Sequence, residues 1–276
     1  MRINRFHIII GFIAALGLNQ AGLRAQLVQK DDPNLKGIDV IEHTGETIPL
    51  DLNFTNSDGK SVVLGDFFRE GKPVLLTLAY YECPMLCTFV LNGLSKGLAD
   101  LELTPGEDFQ VITISIDPKE TADLAALKKK NQTGAVGKAF PEDGWVFLVG
   151  PGENSRKLAD ALGFQYYYDE ERDEYAHPAV SFVLSDKGMI TRYLYGIEFR
   201  EKDLRLALLE ASEGKIGDAF DRILLYCYHY DPDAGGYVIF AGNVMRIGGV
   251  ITLILLISLL GIFWRREVRK KTLGVR

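Results

Sequence analysis

The chain has 276 residues, of which 47% are apolar and 25% charged, a composition typical of a globular protein with one domain and additions or with two small domains. The formal net charge is −6, but both ends are basic, so the segment between the first twenty-five and the last twelve residues sums to −14. This acidic body argues against nucleic-acid binding, and three cysteines are too few for a disulfide scaffold.

The N-terminus has the pattern of a secretory signal peptide. Arg2 and Arg5 precede an apolar run over residues 6–18, and small and polar residues follow up to Ala25. A basic start followed by a short apolar core predicts a signal peptide over residues 1–25, with cleavage after Ala21 or Ala25. The alternative interpretation is an uncleaved membrane anchor.

The segment that follows predicts one α/β domain. Hydrophobic patterning predicts strands at residues 50–54, 61–64, 73–80, 109–116, 145–149, 179–184 and 189–195. Helical spacing of apolar residues predicts helices at 84–101, 120–130, 155–162, 200–212 and 217–228. Strands that alternate with helices, followed by a hairpin and a closing helix, predict a sheet with helices on both faces. Residues 226–237 are expected to be a short connector to the membrane.

The C-terminal region has the pattern of a transmembrane helix. Residues 247–264 carry no charge, and with Val244 and Met245 the run can cross a hydrocarbon core of about 30 Å. Five cations follow within seven residues and mark the cytoplasmic side. We therefore expect a single span at 244–264 and a basic cytoplasmic tail at 265–276. The globular domain is expected on the extracytoplasmic (periplasmic) side of the inner or plasma membrane.

The candidate site is the segment Cys83-Pro-Met-Leu-Cys87, where the first long strand meets its helix. Pro84 suits the first helical turn, which places Cys83 at the helix start and Cys87 one turn later on the same face. Free N–H groups and the helix dipole favour a thiolate at Cys83, so we expect it to be the more acidic thiol. Residues four apart on a helix can form a disulfide or bind one soft cation. Redox chemistry and metal binding are both open, as is a structural pair of buried or disulfide-bonded cysteines.

His177 is the histidine that can complete such a site. It directly precedes the predicted strand at 179–184, so it can face the helix start if this strand pairs with the one ending near Tyr81. Two thiolates and one imidazole suit copper(I) and can also hold copper(II). The alternative is an unpaired surface histidine.

Three segments together resemble the Sco (SenC/PrrC) family: Cys83-Pro84-Met85-Leu86-Cys87, the strand ending in Ser115-Ile-Asp117-Pro118, and a histidine before a strand and an Asp-Lys-Gly turn. The likeness covers about residues 48–212. It implies a thioredoxin-like fold at 40–215 with an inserted hairpin near 166–179. Members of this family are membrane-anchored and deliver copper to cytochrome c oxidase. Many are anchored at the N-terminus, whereas the span predicted here is C-terminal.

The resemblance implies that Cys83, Cys87 and His177 hold a copper ion, and that Asp117 lies near the site. Capping of a helix that begins near Lys119 is an equally good role for Asp117. The predicted function is a membrane-tethered copper metallochaperone that serves the copper-binding subunit of a cytochrome c oxidase. It would depend on a thiol reductant, because a disulfide does not bind copper. This function is not primarily enzymatic.

Two other functions stay open. The first is a thiol–disulfide oxidoreductase that reduces the copper-ligand cysteines of the oxidase subunit, with Cys83 attacking and Cys87 resolving. The second is a tethered redox or copper sensor.

Residues 169–174 are expected to be a solvated hairpin tip. Cys227 and His229 fall in a membrane-proximal helix and connector predicted at 216–243, where they are expected to pack as a helix end rather than bind metal.

Overall fold

The structure is a computed structural model that describes residues 38–83, 86–213, 225, 228–231 and 236–272. The predicted signal peptide at 1–25 lies outside the described residues. The same is true of Pro84, Met85, Cys227 and most of the helix predicted at 217–228.

The described residues form an alternating series of strands and helices. The strands are β1 (Asn53–Asn56), β2 (Ser61–Val63), β3 (Val74–Ala79), β4 (Gln110–Ser115), β5 (Trp145–Val149), β6 (Tyr167–Asp169), β7 (Glu174–Ala176), β8 (Val180–Leu184), β9 (Ile190–Tyr195), β10 (Tyr228–Asp231) and β11 (Gly236–Ile239). The helices are α1 (Leu86–Asp100), α2 (Ala122–Val136), α3 (Gly152–Ala161), α4 (Glu201–Ala211) and α5 (Ala241–Thr272).

Seven strands form one mixed sheet in the order β2-β1-β5-β4-β3-β8-β9. The central strands β3, β4 and β5 pair in parallel, and every residue in them is buried. Continuous apolar runs are typical of strands covered on both faces. Residues of α3 pack in one core cluster and residues of α1, α2 and α4 in the other. Helices on both faces of the sheet confirm the predicted α/β architecture.

The pairing of β3 with β8 determines how the candidate site is assembled. The two strands are antiparallel, and Thr77 lies opposite Ser181. The chain leaving β3 toward Cys83 therefore runs past the chain that enters β8 from His177. This is the pairing on which the predicted meeting of the histidine with the cysteines depended.

A two-stranded hairpin precedes β8, as the resemblance implied. Strands β6 and β7 pair antiparallel, with Tyr168 opposite Tyr175. Tyr166 is buried, whereas Tyr167 and Tyr168 are exposed. At the tip, residues 170–173 are exposed, and Asp173 has a positive φ of 56°. The acidic segment is therefore a solvated turn, as predicted.

Two helices differ in extent from the prediction. Helix α2 begins after Thr121, whose hydroxyl accepts the Leu124 N–H, and it ends at Gly137 with a φ of 72°. The N-cap is thus Thr121 and not Asp117, whose carboxylate accepts the backbone N–H of Lys119 within a turn. Helix α3 begins at Gly152, because Pro151 supplies an extended residue just before the first turn.

The segment before the C-terminal helix also differs from the sequence prediction. Residues 228–231 and 236–239, expected to be a helix end and a connector, form the antiparallel hairpin β10–β11. Tyr230 and Tyr237 of this hairpin are buried in the core cluster that contains α4. The two tyrosines lie opposite each other in the pairing, so the hairpin buries both of them against the same core cluster.

Helix α5 includes the predicted span. Residues Gly242–Arg265 form a segment of 24 residues with a mean hydropathy of 2.5, and its apolar side chains are exposed. The length and composition fit a single-pass membrane anchor. The predicted boundary at residue 244 lies within two residues of this segment's start.

Candidate metal centre

The candidate site lies where β3 leads into α1. After Ala79, the last residue of β3, three residues lead to Cys83. Helix α1 begins at Leu86. Thr88 on the first turn of α1 donates its hydroxyl hydrogen to the Cys83 carbonyl at 3.1 Å. This hydrogen bond links the first turn of α1 to the backbone of Cys83.

The structure brings together the three residues that the sequence singled out. The ligand atoms of Cys83, Cys87 and His177 all lie within 4.8 Å of one another. Cys87 Sγ is 2.7 Å from His177 Nε2, and the Cys87 backbone N–H donates to Cys83 Sγ at 3.3 Å. The side chains are 7%, 1% and 6% exposed, respectively. Two free thiols and an imidazole so arranged can hold a metal ion.

The orientation of His177 is fixed by its own neighbours. Nδ1 lies 2.9 Å from the Pro178 carbonyl oxygen. Because a carbonyl oxygen only accepts hydrogen bonds, Nδ1 donates to it, and Nε2 is the ring nitrogen that faces the sulfurs. The rings of Phe164 and Tyr80 lie 5.9 Å and 6.0 Å from the imidazole, centroid to centroid. The peptide bond before Pro178 is trans.

The two thiols differ in acidity. Hydrogen bonds from the Cys87 thiol, the His177 ring, the Cys87 backbone N–H and the Tyr80 side chain lower the pKa of Cys83 well below its usual range, against the opposing effect of burial. Burial raises the pKa of Cys87. Cys83 is therefore the acidic thiol, as the helix-start argument predicted, although side chains contribute as well as the helix backbone.

Sequence reasoning missed two residues that contact this region. Tyr80 is buried and hydrogen-bonds to Cys83, and both this bond and its burial raise the pKa of Tyr80. Glu120 accepts the backbone N–H groups of Tyr81 and Glu82, the two residues before Cys83. Tyr80 precedes the motif by three positions and could have been noticed there. For Glu120 the sequence signal is only its place just after the next strand of the sheet.

Asp117 lies beside the three-residue group rather than within it. It lines a cleft of about 370 Å³ together with Tyr80, Glu120 and Tyr175. Burial, followed by the charge of Asp117, raises the pKa of Tyr175 to about 12. Asp117 thus contacts a tyrosine whose ring lies 5.5 Å from that of Tyr80, centroid to centroid, in a tilted arrangement.

The other histidines that the structure describes lie elsewhere. His43 Nδ1 lies 3.0 Å from the carbonyl of Ala161, at the end of α3. His229 belongs to β10, and Cys227 lies outside the described residues. Within the described part of the chain, Cys83, Cys87 and His177 form the group able to hold a metal ion.

Comparison with known proteins identifies a family model and solved structures that this chain resembles. The family model SCO1/SenC matches residues 42–207. A solved structure of a putative electron transfer protein from Aquifex aeolicus VF5 is 31% identical, with a TM-score of 0.54, and the match covers 61% of this chain and 94% of that chain. A putative electron transport protein from the same organism is 29% identical, with a TM-score of 0.51 and coverage of 61% and 98%.

Structures determined with copper are also among the matches. Arabidopsis thaliana ScoI with copper bound is 20% identical, with a TM-score of 0.47, and the match covers 61% of this chain and 98% of that chain. A search of curated proteins found no match. The family model spans more than half of the chain and contains all three residues of the candidate site. The chain therefore belongs to the SCO1/SenC family.

Proposed function

We propose that this protein is a copper metallochaperone that holds copper through Cys83, Cys87 and His177. The observation that carries the proposal is the convergence of two sulfurs and an imidazole nitrogen within 4.8 Å. This donor set is soft and borderline, which suits copper(I), and its burial keeps competing water away. Membership of the SCO1/SenC family supports the choice of copper over zinc.

The residues are prepared for binding in different ways. Cys83 is already the acidic thiol, and the hydrogen bond from Nδ1 to the Pro178 carbonyl oxygen fixes the His177 ring with Nε2 toward the sulfurs. Cys87 keeps its proton until a metal ion replaces it, so binding releases a proton at this residue. Three ligands leave a coordination position through which copper can pass to an acceptor by ligand exchange.

The cellular setting that we propose is supported by the sequence patterns near the two ends of the chain. The basic, apolar N-terminus and helix α5 support a protein tethered to the inner or plasma membrane, with its globular domain on the periplasmic side. The acceptor we propose is the copper-binding subunit of a cytochrome c oxidase. A disulfide between Cys83 and Cys87 would remove both thiolate ligands, so a thiol reductant has to maintain the pair.

Anaerobic titration with copper(I) tests the proposed ligands. The reduced full chain in detergent micelles should bind one copper(I) per chain in competition with a chelator. Cys83→Ser, Cys87→Ser and His177→Ala should each lower the affinity at least about tenfold, because each removes one ligand. Matched controls are His43→Ala and Cys227→Ser, which should bind as the wild type does. Retention of one tightly bound copper by the double variant of Cys83 and Cys87 would contradict the proposal.

A second candidate function is favoured by one observation. An acidic Cys83 beside a protonated Cys87 is the arrangement of an attacking and a resolving thiol. In that case the protein would reduce the disulfide of the oxidase copper-binding subunit. The variant His177→Ala distinguishes the two functions. Undiminished reduction of a disulfide-bonded acceptor peptide by His177→Ala favours the oxidoreductase, whereas loss of copper transfer with the same variant favours the metallochaperone.

A further inference from the structure

Glu120 is a partly buried carboxylate outside the candidate ligand group. It lies in the loop between β4 and α2, directly before the N-cap residue Thr121. Its Oε1 accepts hydrogen bonds from the backbone N–H groups of Tyr81 at 2.5 Å and Glu82 at 2.8 Å. Its Oε2 accepts from the Ser115 hydroxyl at 2.5 Å. These bonds join the loop that follows β4 to the loop that follows β3.

The loop after β3 is also fixed from its other side. The ring of Tyr81 is buried, and its hydroxyl donates to the carbonyl oxygens of Leu148 at 2.7 Å and Thr113 at 3.1 Å. The backbone of Tyr81 is thus held by Glu120 while its side chain is held inside the sheet. Cys83 is two residues further along, so little freedom is left in the segment that carries it.

We infer that Glu120 is a positioning residue for Cys83, an inference that rests on the proposed function. The ladder between β3 and β4 ends at Ala79, so the N–H groups of the next residues need acceptors from outside the sheet. A carboxylate makes charge-assisted bonds to them that are about twice as strong as neutral ones. By holding the backbone just before Cys83, Glu120 determines where its sulfur lies relative to Cys87 and His177.

Two substitutions of Glu120 separate positioning from general stability. Glu120→Gln keeps an oxygen that accepts both N–H groups, whereas Glu120→Ala leaves them without an acceptor. We expect copper(I) affinity to fall about tenfold or more in Glu120→Ala and to stay within about threefold of the wild type in Glu120→Gln. The absorption bands of the copper(II) form, which report thiolate bonding to the metal, should shift in Glu120→Ala alone.

A matched control removes a similar carboxylate far from the site. Asp66 Oδ2 accepts the Val63 backbone N–H at 3.0 Å in an exposed turn after β2. Asp66→Ala should lower the thermal unfolding midpoint without changing the copper affinity or the absorption bands. A purely structural role for Glu120 would give the same result in Glu120→Ala, and that result overturns the inference.

A readout without copper keeps this inference separate from the proposed function. Equilibration with glutathione measures how readily Cys83 and Cys87 form their disulfide, with one oxidised glutathione reduced for each disulfide formed. Glu120→Ala should change this equilibrium constant at least about threefold, because Cys83 is no longer held beside Cys87, and Glu120→Gln should not change it. If the wild type binds no copper, the proposed function fails and this equilibrium still decides the role of Glu120. An unchanged equilibrium constant in Glu120→Ala overturns the inference that Glu120 positions Cys83.

Discussion

Cys83 and Cys87 are chemically alike, and the difference in their acidity comes from their positions. Cys83 Sγ receives hydrogen bonds from the Cys87 thiol, the His177 ring and the Cys87 backbone N–H, whereas Cys87 is almost completely buried. The pKa of Cys83 is therefore lowered and that of Cys87 raised. Between the lowered pKa of folded Cys83 and about 8.5 in the unfolded chain, the unfolded chain binds more protons at this residue. Its contribution to stability consequently increases with pH across that interval.

The acidity of Cys83 can be measured directly. The reduced, metal-free protein should retain the ultraviolet absorbance of one thiolate as the pH falls from 8 to 5, where a thiol of pKa about 8.5 would be protonated. Tyr80→Phe removes a hydrogen-bond donor and should move the titration to higher pH. Cys83→Ser serves as the control, because it should abolish the signal. Loss of the absorbance with a midpoint near pH 8.5 in the wild type would contradict this assignment.

The sequence allowed the three residues of the candidate site to be singled out, but not their surroundings. Cysteine and histidine are typical metal-binding or redox residues, which singled out Cys83, Cys87 and His177. Residues four apart on a helix lie on the same face, so the spacing of the two cysteines predicted that they are close together. Glu120 is one of many carboxylates in an acidic chain, and it acquires its role only when β4 pairs beside β3. Such contacts depend on tertiary structure, and no local pattern records them.

Helix α1 owes its close packing to a glycine. A Cβ added at Gly93 would lie 1.9 Å from the carbonyl oxygen of Ile197, in the chain between β9 and α4. The helix that carries Cys87 therefore lies against backbone, which cannot move aside as a flexible side chain can. On α2, by contrast, a Cβ added at Gly134 would meet no atom within 4 Å.

These two glycines give opposite predictions. Gly93→Ala should lower the free energy of unfolding by about 1–3 kcal/mol, because the new methyl group forces α1 away from its neighbour. Gly134→Ala should raise it by up to about 1 kcal/mol, since alanine is the better helix former and the space is open. Chemical denaturation of the two variants in the same detergent measures both. Equal effects of the same sign would show that the contact at Gly93 is not as close as the structure has it.

At the level of elements, the prediction was most accurate where one face or both faces are buried. The apolar runs of β3, β4 and β5 were identified within one residue at each end. Helix α2 was predicted to stop at Lys130 but continues to Val136. The lysines at 128–130 and Gly134 lie inside the helix, and Gly137, with a φ of 72°, terminates it.

The molecule as a whole joins its globular domain to α5 through the β10–β11 hairpin, which is bound to α4. The Tyr237 backbone N–H donates to Asp203 Oδ1 at 3.0 Å, and its carbonyl accepts from Lys202 Nζ at 2.8 Å. The Tyr237 hydroxyl donates to Glu210 Oε2 at 2.5 Å. Phe240 alone separates β11 from α5. The sequence suggested a plain connector, because burial of its tyrosines depends on a helix 30 residues earlier.

The attachment of this hairpin should be measurable in the stability of the full chain. Tyr237→Phe removes a buried hydrogen bond to a carboxylate, so we expect a loss of about 1.5–3 kcal/mol in the free energy of unfolding. The matched control is Tyr167→Phe, at an exposed tyrosine of β6, which should change stability by less than about 0.5 kcal/mol. Equal stability of Tyr237→Phe and the wild type would mean that the hairpin is not held at this point.

The three sulfur and nitrogen donors come from positions 83, 87 and 177, so they converge only after β8 has paired with β3. An unfolded chain does not hold these three donors together. A copper ion bound by them would therefore stabilise the native state relative to the unfolded state. At a free copper(I) concentration a thousand times the dissociation constant, unfolding should cost about 4 kcal/mol more than in the empty protein. Calorimetry of the wild type should show a copper-dependent rise in melting temperature that His177→Ala largely lacks. If the protein passes copper on as we propose, transfer of the ion to an acceptor would return the protein to its less heat-resistant form.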